Sequence, residues 1–169
     1  MNTSDNGIEF IKNEEGHKLY VYPDSKGNQT CGYGHLVVSG DNLEMGDTIT
    51  QERADEFFSD DLVNSTEGPI NELDCASELS QNQFDALASI VFNGGSGVLE
   101  TNDMRAMLNY PEIFPDFYGP LSPYEINNCS KKVSKAFSYD RSLKGRRNRE
   151  AALFCEGEAY THKYPVYTL

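Results

Sequence analysis

Two carboxyl groups and one hydroxyl group near the start of the chain form a pattern that suits acid–base chemistry. Glu15 precedes Gly16, Asp24 follows nine positions after Glu15, and Thr30 follows six positions after Asp24. A carboxylate at a helix C-terminus meets the negative end of the helix dipole, which disfavours its ionised form and suits a general acid. An aspartate in an exposed turn stays ionised. A protonated acid facing an ionised carboxylate is the arrangement that cleaves glycosidic bonds.

Each of these residues also has a plainer interpretation when it is taken alone. A glutamate before a glycine at a helix end is usually a surface residue. Aspartate in a turn commonly bonds to the backbone of that turn, and threonine is common in strands because it is β-branched. The hydroxyl of Thr30 can also hold a water molecule. The three residues therefore indicate catalysis only together with the elements around them.

The elements around these residues are a short helix and a hairpin. Residues 6–15 carry an i, i+3 apolar stripe and end before Gly16, which is typical of a helix C-terminus. Residues 19–35 alternate in the manner of strands around a turn at 23–28. This layout places Glu15 at the helix end, Asp24 in the turn and Thr30 on the returning strand. Residues 39–48 are expected to form a polar loop.

The rest of the chain is predicted to be helical. Ser80-x-x-Gln83 is a capping box, and Ser122-Pro123-x-Glu125 has serine, proline and glutamate in the order of a helix start. Five helices are predicted. The first begins at Thr50 and ends near Asn64, and the second runs from Ser80 to Gly94-Gly95. The third begins at Thr101, the fourth begins at Ser122, and the fifth spans about 144–156. The fold class is therefore α+β. One domain over 1–169 is expected, with a small lobe at about 16–62 and a helical lobe at about 1–15 plus 70–169.

The charge of the chain is strongly negative but unevenly spread. There are 27 acidic and 14 basic residues, for a net charge of −13, which argues against nonspecific binding to nucleic acid or to an anionic membrane. Residues 131–149 hold eight basic residues against Asp140 alone, a net charge of +7. Two interpretations of this basic window stay open. It is either a solvated helical face or a surface that contacts an anion locally.

The four cysteines do not indicate a metal site. None forms a C-x-x-C pair and the chain has only three histidines, so we expect neither zinc nor any other cofactor. Four cysteines allow three full disulfide pairings, and free thiols are an equal alternative. The N-terminus has no apolar segment of the kind found in signal peptides, and no apolar run is long enough for a membrane span. The chain is also compatible with one domain of a longer protein.

Three segments resemble the phage-type lysozymes of glycoside hydrolase family 24. The first runs from Glu15-Gly16 through Asp24 and Thr30 to Gly32-Tyr33-Gly34-His35, and it matches the family pattern at each point without a gap. The others are Ser80-x-x-Gln83-Phe84-Asp85-Ala86-Leu87 with Phe92-Asn93-Gly94-Gly95, and Arg146-Arg147-x-Arg149-Glu150 with the apolar residues that follow. The segments cover roughly 8–35, 80–95 and 141–157. Residues 100–140 are not matched.

The resemblance implies a lysozyme-like fold with an active-site cleft between the two lobes. It implies Glu15 as the catalytic acid, with Asp24 and Thr30 as the second and third catalytic residues. Asn93 is implied as an amide that lines the cleft, and Arg146 as a side chain that approaches Glu15. Supporting roles are expected for Tyr33 and for His35, the latter by pairing with a carboxylate. No metal is implied.

The implied activity is hydrolysis of the β-1,4 bond between N-acetylmuramic acid and N-acetylglucosamine in peptidoglycan, with inversion of configuration. A lytic transglycosylase and a non-catalytic peptidoglycan-binding module are the alternatives. The expected partner is the glycan strand, with an immunity or inhibitor protein as an open alternative, and a monomer is expected. The site of action would be the cell wall, in the periplasm, after release or export. Phage endolysin and secreted antibacterial effector both fit this expectation.

Overall fold

A computed structural model of the protein describes residues 1–108, 133, 136–137 and 143–156. The helices and strands, in chain order, are α1 (Asp5–Glu15), β1 (Lys18–Pro23), β2 (Gln29–Gly32), β3 (His35–Leu36), α2 (Gln51–Asp61), α3 (Gly68–Asn71), α4 (Gln81–Gly94), α5 (Asn102–Leu108) and α6 (Lys144–Glu156). A small sheet followed by helices confirms the predicted α+β class. Most of the helix predicted from Ser122 lies outside the described residues. No helix in the described ranges is long and apolar enough to cross a membrane.

The first helix begins and ends at residues suited to those positions. The side chain of Ser4 accepts a hydrogen bond from the backbone N–H of Gly7, which satisfies one of the unpaired N–H groups of the first turn. Ile11 is fully buried and anchors the helix to the core. Gly16 follows the helix with φ +74°, a conformation that favours glycine. Glu15 is therefore the last residue of α1, as the sequence predicts.

The sheet has three antiparallel strands in the order β1-β2-β3. Tyr22 pairs with Thr30 across β1 and β2, and Thr30 pairs with Leu36 across β2 and β3. The predicted hairpin is confirmed. The third strand was not predicted, because a strand of two residues leaves no alternating pattern to detect. The pairing aligns Tyr22, Thr30 and Leu36 in one row across the sheet.

The second helix links two apolar cores. Phe57 packs with Val21 and Cys31 beneath the sheet. The next residue, Phe58, belongs to the larger core, which is centred on α4 and includes the buried side chain of Phe84. Because consecutive residues of a helix point in different directions, one helix can serve both cores. The sheet that carries Thr30 is thereby fixed to the helical body.

The predicted starts of the helices near Thr50, Ser80, Thr101 and residue 144 are confirmed, whereas the end of the second helix differs and the short helix α3 was not predicted. The side chains of Thr50 and Ser80 accept the expected cap hydrogen bonds, and α5 and α6 begin near the predicted positions. The second helix is α-helical only to Asp61 and continues as a π-helix over Leu62–Glu67. The hydroxyl of Thr66 donates to the carbonyl of Asp61, 3.4 Å away and five residues earlier. A π-helical turn of this kind produces no apolar periodicity that could be recognised in the sequence.

Candidate active site

Glu15 lies at the end of α1 with its two carboxylate oxygens in different surroundings. Its side chain is only 14% exposed, and Oε1 lies 2.6 Å from Nη1 of Arg146. Gly34 has φ +95°, and a Cβ atom there would lie 3.7 Å from Oε2 of Glu15. Glycine at this position supplies the backbone conformation and leaves Oε2 uncovered by a side chain. One oxygen is therefore fixed by an ion pair while the other faces the space beside Gly34.

Arg146 is buried and is held by three groups besides Glu15. Its Nε donates to Oε1 of Glu150 at 2.9 Å, and its Nη2 donates to the carbonyl and hydroxyl oxygens of Ser89 at 3.1 and 3.2 Å. Burial alone would lower the pKa of Arg146, but the charges and hydrogen bonds of Glu15 and Glu150 outweigh burial and raise it. The guanidinium therefore stays charged and in a fixed orientation against Glu15.

Glu150 connects Arg146 to the rest of the buried cluster. Its side chain is fully buried, and it accepts a hydrogen bond from the hydroxyl of Ser89 at 2.7 Å. Its Oε2 lies 2.7 Å from Nη1 of Arg147. Burial raises the pKa of Glu150, while Arg147 and Arg146 act in the opposite direction. Glu15 and Glu150 together balance the charges of the two arginines inside the protein.

Asn93 is joined to the same cluster through Arg147. The Nη2 group of Arg147 donates to Oδ1 of Asn93 at 2.6 Å. Since the oxygen and nitrogen of an amide point in opposite directions, this contact turns the amide nitrogen of Asn93 away from Arg147. Asn93 is the second-last residue of α4, which ends at Gly94. The predicted cleft residue and the predicted acid are thus linked through Arg147, Glu150 and Arg146.

The basic window 131–149 is not a surface stripe where the structure describes it. Arg146 and Arg147 are 6% and 1% exposed and pair with buried carboxylates. Arg149 pairs with Glu14, its Nε lying 2.5 Å from Oε1. Both interpretations of the window as exposed charge are therefore wrong for Arg146 and Arg147, because Glu15 and Glu150 neutralise them inside the protein. Arg149 is paired but 48% exposed, and Lys144 is exposed, so the window is buried only in part. The lysines at 131, 132 and 135 and Arg141 lie outside the described residues.

Asp24 closes the turn between β1 and β2. Its Oδ1 accepts hydrogen bonds from the backbone N–H groups of Lys26 and Asn28, each at 2.8 Å, and Oδ2 accepts one from the side-chain amide of Asn28 at 3.0 Å. The bonds from Asn28, first from its side chain and then from its backbone, lower the pKa of Asp24. Asp24 is therefore ionised and fixed in position, and it is a weak proton acceptor.

Thr30 lies on β2, directly across from Tyr22 on β1. The Thr30 side chain is nearly buried, and its hydroxyl donates to the carbonyl of Asn28 at 3.3 Å. Burial raises the pKa of Tyr22, and the nearby charges of Glu15 and Asp24 raise it further. Tyr22 is thus electrostatically coupled to both carboxylates. The sequence indicated no role for Tyr22, although its place opposite Thr30 follows from the hairpin register.

His35 is held between two carboxylates of the small sheet region. Its Nδ1 lies 2.9 Å from Oδ2 of Asp61, and its Nε2 lies 3.2 Å from Oδ2 of Asp41. The imidazole stacks on Phe57 with ring centroids 4.0 Å apart. Burial alone would lower the pKa of His35, but the hydrogen bonds and charges of Asp61 and Asp41 produce a net rise. Its contacts tie β3 to α2 rather than reaching Glu15.

We expect the His35 contacts to make stability depend on pH. The folded-state pKa lies above the unfolded value of about 6.5, so the stabilisation is complete below that value and is lost as the pH rises through the folded-state pKa. The free energy of unfolding in urea, measured from about pH 5 to about pH 9, should fall across this window. His35→Gln should remove that component of the decline. Identical slopes for the two proteins would contradict the assignment.

Tyr33 lies in a different environment from the catalytic candidates. Its ring contacts His17 and Phe58, and the ammonium group of Lys12 lies 4.5 Å from the ring centroid. Its hydroxyl accepts a hydrogen bond from the amide of Gln51 at 3.1 Å. Tyr33, Lys12, His17 and Gln51 border an open groove of about 680 Å³ along α1. The structure therefore places Tyr33 against α1 and α2, whereas Glu15, Arg146 and Asn93 belong to one buried network.

The cysteines take two forms in the described part of the chain. Cys31 and Cys75 are free thiols, and Cys155 is disulfide-bonded. Cys31 is fully buried beside Thr30 on β2, and burial is the main cause that raises its pKa. A thiol with a raised pKa is a poor nucleophile. Cys31 therefore acts as a small core residue.

Comparison with known proteins identifies the family of the chain. The Phage lysozyme family model matches residues 12–150, a range that contains Glu15, Asp24, Thr30 and the arginine cluster. The chain belongs to the phage lysozyme family. It is 40% identical over 156 residues to the endolysin of Salmonella phage P22, covering 91% of this chain and 98% of that protein. It is 34% identical over 154 residues to the endolysin of Acyrthosiphon pisum secondary endosymbiont phage 1, with the same two coverages.

The solved structures agree with this family assignment. A crystal structure of a P22 lysozyme mutant matches with a TM-score of 0.61 and 32% identity, over 91% of this chain and 98% of that one. The lysozyme-like fold implied by the sequence is thereby confirmed. Membership of the phage lysozyme family makes this chain a glycoside hydrolase that lyses peptidoglycan in the cell wall.

Within this phage lysozyme, the sequence did not indicate the residues that support Arg146. Nothing in the sequence singled out Ser89, and Glu150 entered only as part of the third segment that resembles the family. A signal was present, because Glu150 lies four residues after Arg146 and three after Arg147, where side chains on one helix meet. The sequence could not show that this pairing is buried against α4.

Proposed function

We propose that the chain hydrolyses the β-1,4 bond between N-acetylmuramic acid and N-acetylglucosamine, with Glu15 as the general acid. The observation that carries this proposal is the asymmetric setting of the Glu15 carboxyl group. Arg146 holds Oε1 at 2.6 Å, while Oε2 faces Gly34, which has no side chain. A carboxyl group that has one oxygen fixed, and the other without a hydrogen-bond partner among the described residues, is suited to protonating the oxygen of a leaving sugar.

Asp24 is proposed to stabilise the positive charge that develops on the sugar, and Thr30 is proposed to bind the water molecule. The lowered pKa of Asp24 makes it a weak base, which favours charge stabilisation over proton abstraction. An ionised carboxylate can stabilise the positive charge of an oxocarbenium-like transition state. The Thr30 hydroxyl, which donates to the carbonyl of Asn28, keeps lone pairs that can accept a hydrogen bond from a water. Inversion of configuration is the outcome that the resemblance implies.

Asn93 is proposed to contact the substrate, and Arg146 is proposed to hold the catalytic acid, Glu15, in position. The contact of Arg147 with Oδ1 holds the amide of Asn93 in one orientation. The resemblance implies that this amide lines the cleft, where we propose that it contacts a sugar. Arg146 fixes the orientation of the Glu15 carboxyl group. The names of the relatives support an endolysin rather than a secreted effector as the biological setting, with action on the periplasmic cell wall.

Mass spectrometry of the soluble products tests the bond and the reaction together. Purified peptidoglycan digested by the chain should yield fragments that end in reducing N-acetylmuramic acid, each carrying the atoms of one added water. Fragments ending in 1,6-anhydro-N-acetylmuramic acid would instead identify a lytic transglycosylase. Reducing N-acetylglucosamine ends would identify cleavage of the other glycosidic bond, and wall binding without fragments would identify a non-catalytic module.

A further inference from the structure

Most cations in the described part of the protein are neutralised by a neighbouring carboxylate. Lys12 lies 2.5 Å from Asp55, and Arg53 lies 3.0 Å from Glu56. The remaining arginines are paired as well: Arg105 with Glu100, Arg146 with Glu15 and Glu150, Arg147 with Glu150, and Arg149 with Glu14. Within 1–108 and 143–156, the lysines and arginines without a carboxylate at ion-pair distance are Lys18, Lys26 and Lys144.

Lys18 differs from the other two lysines because an aromatic ring holds it. Its Nζ lies 3.8 Å from the centroid of the Tyr22 ring, within the range of a cation–π contact. Tyr22 is the cross-strand neighbour of Thr30. The cation is therefore held beside the row that carries a proposed catalytic residue. An aromatic contact of this kind leaves the positive charge able to bind an anion, whereas a carboxylate partner would neutralise it.

A second aromatic side chain, which is exposed, lies on β1 beside Lys18 and Tyr22. Tyr20 is 47% exposed, and its ring meets the edge of Tyr22 with centroids 6.0 Å apart. Lys18 and Tyr20 each contact the ring of Tyr22, so the three side chains meet on one face of β1. This face offers two aromatic rings and a positive charge in a protein of net charge −13. It is continuous with Thr30.

We propose that Lys18, held over the ring of Tyr22, binds a free carboxylate of the peptide stems of peptidoglycan. This inference rests on the proposed function, because it assumes that the glycan strand lies along the face that carries Thr30. Each muramic acid of an intact strand bears a peptide stem, and such stems carry free carboxylates. The wall and this protein are both anionic, so they repel each other at long range. Salt screens that repulsion beyond about 8 Å, which leaves Lys18 to act at contact distance.

The test compares soluble glycan strands with intact stems against strands from which an amidase has removed the stems. Lys18→Gln should raise KM for the intact strands by roughly fivefold, the size that one exposed ion pair supplies, and leave kcat nearly unchanged. KM for the stripped strands should not change. Lys18→Arg should behave as wild type. All variants should melt at the same temperature, because residue 18 is exposed.

Lys144→Gln is the matched control, because it also removes one exposed lysine without a carboxylate partner, at the start of α6. Lys144→Gln should leave KM unchanged for both the intact and the stripped strands. Equal rises in KM for the two glutamine variants would overturn the proposal in favour of a general charge effect. A rise for Lys18→Gln that persists on stripped strands would also overturn it, since the stem would then have no part. If the wild type cleaves neither kind of strand, the proposed function itself fails.

Discussion

Replacing Glu150 by alanine is expected to lower the free energy of unfolding by about 3 kcal/mol, since breaking one side of a buried ion pair typically costs 3–5 kcal/mol. The substitution leaves Arg146 and Arg147, which are 6% and 1% exposed, without their shared partner. Glu15 still contacts Arg146 and Asn93 still accepts from Arg147. These remaining contacts place the expected loss at the lower end of that range.

Activity should fall along with stability when Glu150 is removed. Glu150 and Ser89 hold the Arg146 guanidinium that contacts Oε1 of Glu15. Without the Glu150 carboxylate, that guanidinium loses its bond at Nε and can rotate away from Glu15. Glu150 is therefore a positioning residue that acts through Arg146. Peptidoglycan turnover measured well below the melting temperature should be reduced, with most of the change in kcat rather than in KM.

Glu56→Ala is the matched control for stability. Glu56 also pairs with an arginine three residues earlier in a helix, Arg53, but both side chains are exposed, at 62% and 45%. Exposed pairs contribute about 0–1 kcal/mol. Urea unfolding should therefore separate the two variants by about 2 kcal/mol or more. Equal losses for the two variants would show that the burial of Glu150 has no energetic consequence.

The parts of the fold that could be predicted are those with local signals. The cap at Thr50, the capping box at Ser80 and the turn at Asp24 each depend on residues within a few positions of one another. The strand at His35–Leu36 and the π-helix at Leu62–Glu67 could not be predicted, because neither leaves a periodic pattern. These elements are set by contacts distant in sequence, such as that of His35 with Asp61.

The residues of the candidate site also fall into those that the sequence could indicate and those that it could not. Glu15, Asp24 and Thr30 could be proposed as catalytic residues because they lie in one short segment whose pattern resembles the phage-type lysozymes. The cluster around Glu150 was missed, because the basic window suggested exposed charge and a count of charges does not show burial. Ser89 and Arg146 are 57 positions apart in the sequence, on two helices that meet only in the folded protein. The net charge of the chain is therefore a poor guide to the charges that its surface presents, since most of the described cations are already paired with carboxylates.

Glu15→Gln is expected to lower kcat on peptidoglycan by about 10²–10⁴-fold, the usual contribution of a general acid. The amide has nearly the same shape as the carboxyl group but cannot supply the proton. The fold should persist, because Arg146 keeps its bonds to Glu150 and Ser89. Circular dichroism and urea unfolding should confirm that the variant is folded. Gln83→Glu is the control, because it also exchanges an amide and a carboxyl group of the same size, but in the capping box of α4, outside the site.

The most direct test of the account measures the rate at which new reducing ends appear in peptidoglycan treated with equal amounts of folded wild-type and Glu15→Gln protein. We predict that the wild type releases reducing ends of N-acetylmuramic acid and that the variant releases them at least about 100-fold more slowly. Release by the folded variant at the wild-type rate would contradict the assignment of Glu15 as the proton donor.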